Sequence, residues 1–218
     1  MGYSNGIDLL VKEHIDTSRL YIANDHIFSE GDSFRGVYYI LEGSVKILKN
    51  SHNQPLMLWV GEANEFIGIT TYFENSDNYQ FTAAASGMNC KLIYIPIDNF
   101  NESLNKIPGI KEDIIKVFCK RINFVELRIN NHIQHSTRQR FIDTISFIFK
   151  HLNAPEQNKS RKGPVLRYSI NDLSEMVGTS KKSLSKLINE YEQNNLLRIQ
   201  GDNIIIHDIS KFREKAEV

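Results

Sequence analysis

INDLSEMVGTSKKSLSKLINEYEQNNLL runs from Ile170 to Leu197. Ser169, immediately before it, is a good helix N-cap, and Asp172 follows at capping-box spacing. The spacing predicts a short helix to about Val177, with Leu173, Met176 and Val177 turned to a core. Gly178 stops that helix, and Thr179 and Ser180 offer a new cap. A second helix is expected over 180–194. It places Leu184, Leu187, Ile188 and Tyr191 on one face and Lys181, Lys182, Ser185, Lys186 and Asn189 on the other. Helix, glycine-containing turn, helix is the helix-turn-helix arrangement.

The next residues, LLRIQGDNIIIHDI, alternate tightly around Gly201-Asp202-Asn203. They read as a β-hairpin, which makes the motif a winged variant. Lysines at a helix N-terminus oppose the helix dipole, a mild internal cost. That cost is easier to understand if an anion lies nearby, because the free amides at that end also favour one. The plainer alternative is an ordinary solvated face. The nucleic-acid reading makes Ser169, Thr179, Ser180, Lys181, Lys182, Ser185, Lys186 and Asn189 candidate DNA contacts, with the second helix in the major groove.

Composition is compatible with this without requiring it. The 218 residues hold 26 basic and 26 acidic side chains. Residues 1–137 carry 12 Lys and Arg against 16 Asp and Glu, whereas 138–218 carry 14 against 10, so the C-terminal third is modestly basic. Cys90 and Cys119 are the two cysteines, too few for a Cys-rich zinc site or a four-thiolate iron–sulfur site within one chain. The N-terminus has no signal-peptide core, and no apolar run approaches a membrane span. A cytoplasmic protein with no membrane partner is expected.

Upstream, residues 26–100 read as β structure. HIFSEGDSFRGVYYILEGSVKILKN, LMLWV, EFIG, YQFTAAA and KLIYIP are short β-branched or aromatic runs between turn residues, the pattern of a small barrel, jelly roll or β-roll. At Pro108-Gly109 the period lengthens. Ile115, Phe118, Ile122, Val125 and Ile129 form an a/d stripe, read as the seam of a helix that pairs with another; the plainer alternative is one buried helix inside a single domain. A second stripe, Ile110, Ile114, Val117, Phe124 and Leu127, is assigned to the β domain. Residues 138–152 carry a further helix pattern, and NAPEQNKSRKGP reads as a loop whose Lys159, Arg161 and Lys162 could touch phosphate.

These pieces, in this order, resemble the cyclic-AMP receptor protein/fumarate–nitrate regulator (CRP/FNR) family of bacterial transcription factors over roughly residues 20–210. FSEGDSFRGVYYILEGSVKI is similar to the family's β-roll opening, EFIGITTYF to the turn and short helix of its ligand cassette, and INDLSEMVGTSKKSLSKLINEYEQNNLL to its helix-turn-helix. The resemblance implies an α+β fold: an N-terminal β-roll (jelly-roll-like) sensor domain over 1–108, a long dimerisation helix over 109–137 and a C-terminal winged helix-turn-helix over 138–218.

The cassette departs from the pattern. Cyclic-AMP binders in the family have Glu after the glycine, where this chain has Ile69 after Gly68, and an Arg-Ser pair where it has Tyr79-Gln80. Tyrosine cannot replace the positive fork that arginine offers a cyclic phosphate. The adenine-contacting pair of the long helix falls at Val125-Glu126. Gly68, Ile69, Thr70, Tyr79, Gln80 and Val125 are therefore candidates for a divergent effector pocket that does not take cyclic AMP. No cofactor is expected, although another small-molecule effector is compatible. Tyr72, Tyr79, Phe81 and Trp59 would line a cavity or fill a core. On the second helix, Lys182 stands where the family's best-known reader has Glu, so the usual operator is not implied, and Asp202 replaces a basic wing contact, leaving Arg198 or Lys162 to that role.

The expected function is a homodimeric, sequence-specific regulator of double-stranded, pseudo-palindromic DNA, with RNA polymerase as a candidate partner. It is not expected to be an enzyme. The alternative is a small-molecule-binding β-roll or cupin-like enzyme whose winged helix serves protein interaction. His26 and His52 are isolated as metal or haem ligands, and His132 with His135 lacks an evident third ligand, so no metal is expected.

Overall fold

The computed structural model describes residues 5–50, 55–86, 89–152, 165–166, 168–200, 203–206, 212 and 214. His52, Lys159, Arg161, Lys162 and Asp202 lie outside the described residues. The chain divides into two units, residues 1–122 and 123–218.

In the first unit, α1 (Asn5–Glu13) and a 3-10 turn (Ile15–Thr17) precede the strands β1 (Arg19–Tyr21), β2 (His26–Phe28), β3 (Gly36–Glu42), β4 (Ser44–Lys49), β5 (Leu56–Glu62) and β6 (Phe66–Ile67). The short helix α2 (Ile69–Phe73) leads to β7 (Thr82–Ala85) and β8 (Cys90–Pro96), and then to α3 (Ile97–Lys106). The strands make two antiparallel four-stranded sheets, ordered β1-β8-β3-β6 and β2-β7-β4-β5. This is the β-roll.

Period-two alternation decides how the first sheet is buried on both faces. Val37 and Tyr39 of β3, with Ile93 and Ile95 of β8, enter a cluster with Ile7 and Leu10 of α1 and Phe100 and Leu104 of α3. Their neighbours Ile40 and Leu92 point the other way, into a cluster with Val45, Ile47, Ala83 and Ala85 of the second sheet. The tight turn between β3 and β4 requires Gly43. Its φ is +81°, and a Cβ there would stand 2.6 Å from the Asn89 carbonyl oxygen.

Two helices of this unit were not expected from sequence, which reads residues 26–100 as β. Residues 97–106 form α3, whose buried Phe100, Ser103 and Leu104 lie on one face. Helix α1 contributes Ile7 and Leu10 to the same core.

The long helix α4 (Ile110–Gln134) belongs by its first half to the first unit and by its second half to the other. The two expected stripes separate in exposure except at Phe118, which the sequence puts on the partner-facing row but which is half-buried against the β-roll cluster, its ring 6.0 Å from Phe73. Ile115 is 59 %, Ile122 57 %, Val125 41 % and Ile129 57 % exposed, and Ile133 continues the row at 76 %. Ile110, Ile114 and Val117 are buried against the β-roll, as expected. Phe124 corrects the sequence reading: its ring packs at 5.1 Å against Phe147, in the second unit. An apolar stripe shows that a face is covered, not by which neighbour.

The second unit continues with α5 (Thr137–Phe147), a π-helical turn (Ile148–Leu152), β9 (Val165–Leu166), α6 (Ile170–Val177), α7 (Lys181–Gln193), β10 (Leu197–Gln200) and β11 (Asn203–Ile206). The last two pair antiparallel, with β9 on the outer side of β11. Phe141, Tyr191 and Phe212 meet at ring separations of 5.0–5.9 Å and form the aromatic centre of this unit.

Candidate nucleic-acid interface and effector cassette

Both helices of the helix-turn-helix begin on the serines that the sequence marks. The Ser169 hydroxyl accepts from the Asp172 amide at 3.1 Å and donates to the Asp172 carboxylate at 2.8 Å. The Ser180 hydroxyl accepts from the Ser183 amide at 3.1 Å. Each cap contributes about 1 kcal/mol to holding its helix start. Gly178 closes α6 in the left-handed region, φ +69° and ψ +48°, and the Thr179 amide donates back to the Ser174 carbonyl.

The turn is also fixed from outside. The Arg140 guanidinium donates to the Gly178 carbonyl at 3.2 Å, and a Cβ on Gly178 would lie 2.4 Å from the His132 imidazole. Burial and the nearby Arg140 and Arg128 charges hold the His132 imidazole below its ordinary pKa. Arg138 of α5 pairs with Glu190 of α7 at 2.6 Å and lies over the Tyr191 ring. The orientation of α7 is thus set by Arg138 and Arg140 of α5, which the sequence did not single out, and by His132 of α4, which it singled out only as a metal candidate.

What α7 presents is simple. Leu184, Leu187, Ile188 and Tyr191 are buried. Lys181, Lys182, Lys186 and Asn189 are exposed, and Ser185 is half-buried beside them. None of the three lysines forms an ion pair among the described residues, whereas Lys49, Lys106, Lys116 and Lys120 of the first unit all do. Arg198, on β10, is likewise exposed.

The cassette candidates are not a set of ligand donors around open space. Gly68 caps α2 in the left-handed region with φ +82°, and Ile69 is fully buried. The Tyr79 hydroxyl donates to the Gly36 carbonyl at 2.7 Å, and its ring stacks on Phe28 with centroids 3.8 Å apart. Gln80 is turned to its own loop, donating to Ser76 Oγ at 2.7 Å and to the Asn78 carbonyl at 3.0 Å. Thr70 is half-buried in α2. Val125 lies on the exposed stripe of α4 in the second unit. Tyr72, Tyr79, Phe81 and Trp59 do not line one cavity either: Tyr72 packs with the helix-side cluster and the other three with the cluster between the sheets.

The sequence did not draw attention to the charged group beside the cassette. Arg121 is buried, with its guanidinium 4.8 Å from the Trp59 ring centroid and donating to the Phe66 carbonyl at 2.6 Å. Burial pushes it down to about 10, so it stays charged at neutral pH. Lys120 pairs with the buried Glu65. Glu62 is half-buried as a residue, but its carboxyl is surrounded by protein. That burial, with the Glu65 charge, pushes it up to about 8.

The histidines have ordinary partners. His26 is exposed and 3.4 Å from Ser29 Oγ, and His135 Nδ1 lies 2.9 Å from the Asp143 carboxylate. Among the described residues, no three or more His, Cys, Asp or Glu gather as a metal site, and no helix is long and apolar enough to cross a membrane. Cys90 is buried, Cys119 is exposed, and both are free thiols.

Two domain families match the chain. The Cyclic nucleotide-binding domain family matches residues 18–106, and the Crp-like helix-turn-helix domain family matches residues 145–215. The chain belongs to the CRP/FNR family of transcription regulators.

Within CRP/FNR relatives the divergence is wide. The CRP-like protein Clp of Xanthomonas oryzae pv. oryzae is 22 % identical over 194 residues, covering 87 % of this chain and 83 % of Clp. The structure of FixK2 from Bradyrhizobium japonicum superposes with a TM-score of 0.73 at 11 % identity, covering 91 % of this chain and 96 % of FixK2. The structure of CLP from Xanthomonas campestris, described as a c-di-GMP responsive global regulator, gives a TM-score of 0.71 at 21 % identity, covering 93 % and 98 %. At these identities the structural likeness is one of fold. The CRP/FNR assignment and the helix-turn-helix carry the coarse function: a transcription regulator with a DNA-binding domain.

Proposed function

We propose that this CRP/FNR protein acts as a homodimer that reads a pseudo-palindromic operator through α7 in the major groove, and that cyclic AMP does not gate it. The observation that carries the reading is the outer face of α7, where Lys181, Lys182 and Lys186 are exposed and form no ion pair among the described residues. A face of unneutralised cations at a capped helix start suits phosphate and guanine edges. Lys186→Ala is expected to weaken binding and relax selectivity at one base position, and to lower the salt slope by roughly one unit if Lys186 also touches phosphate. Unchanged affinity and site preference would remove Lys186 from the reader.

Dimerisation is supported by the exposed row Ile115, Ile122, Val125, Ile129 and Ile133 along α4. A second copy of the helix is the natural cover for an a/d stripe. Ile122→Asp should shift the protein to monomer in sedimentation and abolish operator binding together.

Absence of gating by cyclic AMP is supported by what occupies the cassette. Tyr79 stacks on Phe28 where a cyclic phosphate would need a cation. The carboxylate that the family pattern puts directly after the glycine is missing, because that position is the apolar, buried Ile69. The c-di-GMP response of the X. campestris relative makes c-di-GMP the control nucleotide beside cyclic AMP in any binding assay.

A further inference from the structure

A cleft of about 290 Å³ opens on the β-roll beside β1, β8 and the start of β3. It shares one residue, Tyr79, with the candidate cassette; Gly68, Ile69, Thr70 and Gln80 do not line it. Its walls are aromatic. Tyr38 and Tyr94 stand 5.1 Å apart at an interplanar angle of 56°, and the stacked Phe28–Tyr79 pair adds a further flat surface, with Phe28 5.7 Å from Tyr38.

Two cations lie on this cleft. Arg19 projects from β1 and Arg35 from the segment just before β3, both exposed. Neither forms an ion pair with a carboxylate among the described residues, in a unit where four lysines are so paired. The charge of Arg19 acts on the phenols of Tyr21 and Tyr38, and that of Arg35 on the phenol of Tyr94. The Tyr94 hydroxyl donates to the Arg35 carbonyl at 2.8 Å, which fixes the backbone carrying that cation. Asp32 is the one acid on the cleft, and its carboxylate accepts from the Ser29 amide at 2.7 Å. The cleft is left with an excess of positive charge.

The Tyr21 and Tyr38 hydroxyls make no hydrogen bond among the described residues. Burial pushes the Tyr38 phenol up to about 12, so it stays a neutral donor at physiological pH. The cleft therefore offers flat apolar walls, unused hydroxyl donors and two arginine forks, at the small end of the size range of ligand sites. We propose that it is a ligand site apart from the nucleotide cassette, and that it takes a small aromatic acid. One or two rings would lie among Tyr38, Tyr94 and the Phe28–Tyr79 pair, with a carboxylate or phosphate on Arg19 and Arg35. The site is independent of the DNA-binding reading and is tested without DNA.

The test is fluorine NMR of full-length protein with three probes: para-fluorobenzoate, para-fluorophenyl phosphate and the neutral para-fluorobenzamide. At least one anion should bind saturably with Kd on the order of 1 mM or tighter, and the amide about tenfold more weakly. Which anion binds better identifies the acid. Arg19→Gln with Arg35→Gln should weaken the anion about tenfold and leave the amide unchanged. Both positions are exposed, and a thermal melt of the double variant confirms its fold. Gln80→Ala, in the cassette, should change nothing. The proposal is overturned by no saturable binding of either anion, by equal binding of the amide, by indifference to the double substitution, or by dependence on Gln80.

Discussion

The Tyr79 hydroxyl donates to the Gly36 carbonyl oxygen at 2.7 Å, across 43 residues of chain, while its ring lies flat on Phe28. One side chain thereby joins the cassette loop to the start of β3 and fills the place where the family pattern would put a cation. Gly68 fits the same arrangement, because a Cβ there would come within 3.2 Å of the Tyr79 ring.

Tyr79→Phe keeps the stack and removes the donor. The Gly36 carbonyl is then left without that hydrogen bond, which should cost about 1–2 kcal/mol in urea unfolding. An unchanged midpoint would mean that the hydroxyl contributes nothing to holding the cassette closed.

Glu62 gives the first unit a pH dependence with a defined sign. Its pKa is about 8 in the folded chain against 4.5 for the free side chain. Between those values the folded state keeps a proton that the unfolded state has released. Stability therefore falls as pH rises through that window and levels off above about 8. Glu62→Gln should flatten this fall. At pH 8.5 it should be more stable than the parent by on the order of 1–2 kcal/mol, less than the full linkage because the residue is only half-buried. Near pH 4.5 the two should be equal. Parallel stability curves across the window would contradict the assignment.

The Gly178 turn is tested by adding one methyl group. In Gly178→Ala the left-handed backbone costs about 1 kcal/mol, and the new Cβ meets the His132 ring at 2.4 Å. Thermal unfolding should show a loss of about 1–3 kcal/mol, accompanied by weaker DNA binding as α7 shifts. Adding His132→Ala should recover the contact part of that loss and leave the backbone part. A Gly178→Ala protein as stable as the parent would show that the turn tolerates a side chain.

The helix-turn-helix was legible because its signals are local. Ser169, Gly178 and Ser180 mark helix ends within a few residues of the hydrogen bonds they make. The β-roll was legible from alternation and glycine turns. Helix α3 was not: IDNFNESLNK is rich in Asn, and Pro96 at its N-cap makes no side-chain cap. Its amphipathic face, Phe100 and Leu104, is recognisable mainly once the core it closes is known. The assignment of Phe124 failed for a related reason, since the stripe on α4 runs on while the unit it packs against changes at residues 122–123. In the cassette, sequence showed that Arg and Glu were missing. It did not show that Phe28, some 50 positions earlier, would stack on Tyr79, or that Arg121 would lie over Trp59, because those contacts are long-range.

DNA selection by this protein is expected not to wait for cyclic AMP. The most direct measurement is selection by the full-length, ligand-free protein from a pool of random-centre duplexes at near-physiological salt, in parallel with cyclic AMP added. Enrichment of one pseudo-palindrome, with half-sites about one helical turn apart and equal affinity in both arms, is the predicted result. Enrichment only in the presence of cyclic AMP, or of no sequence in either arm, would contradict it.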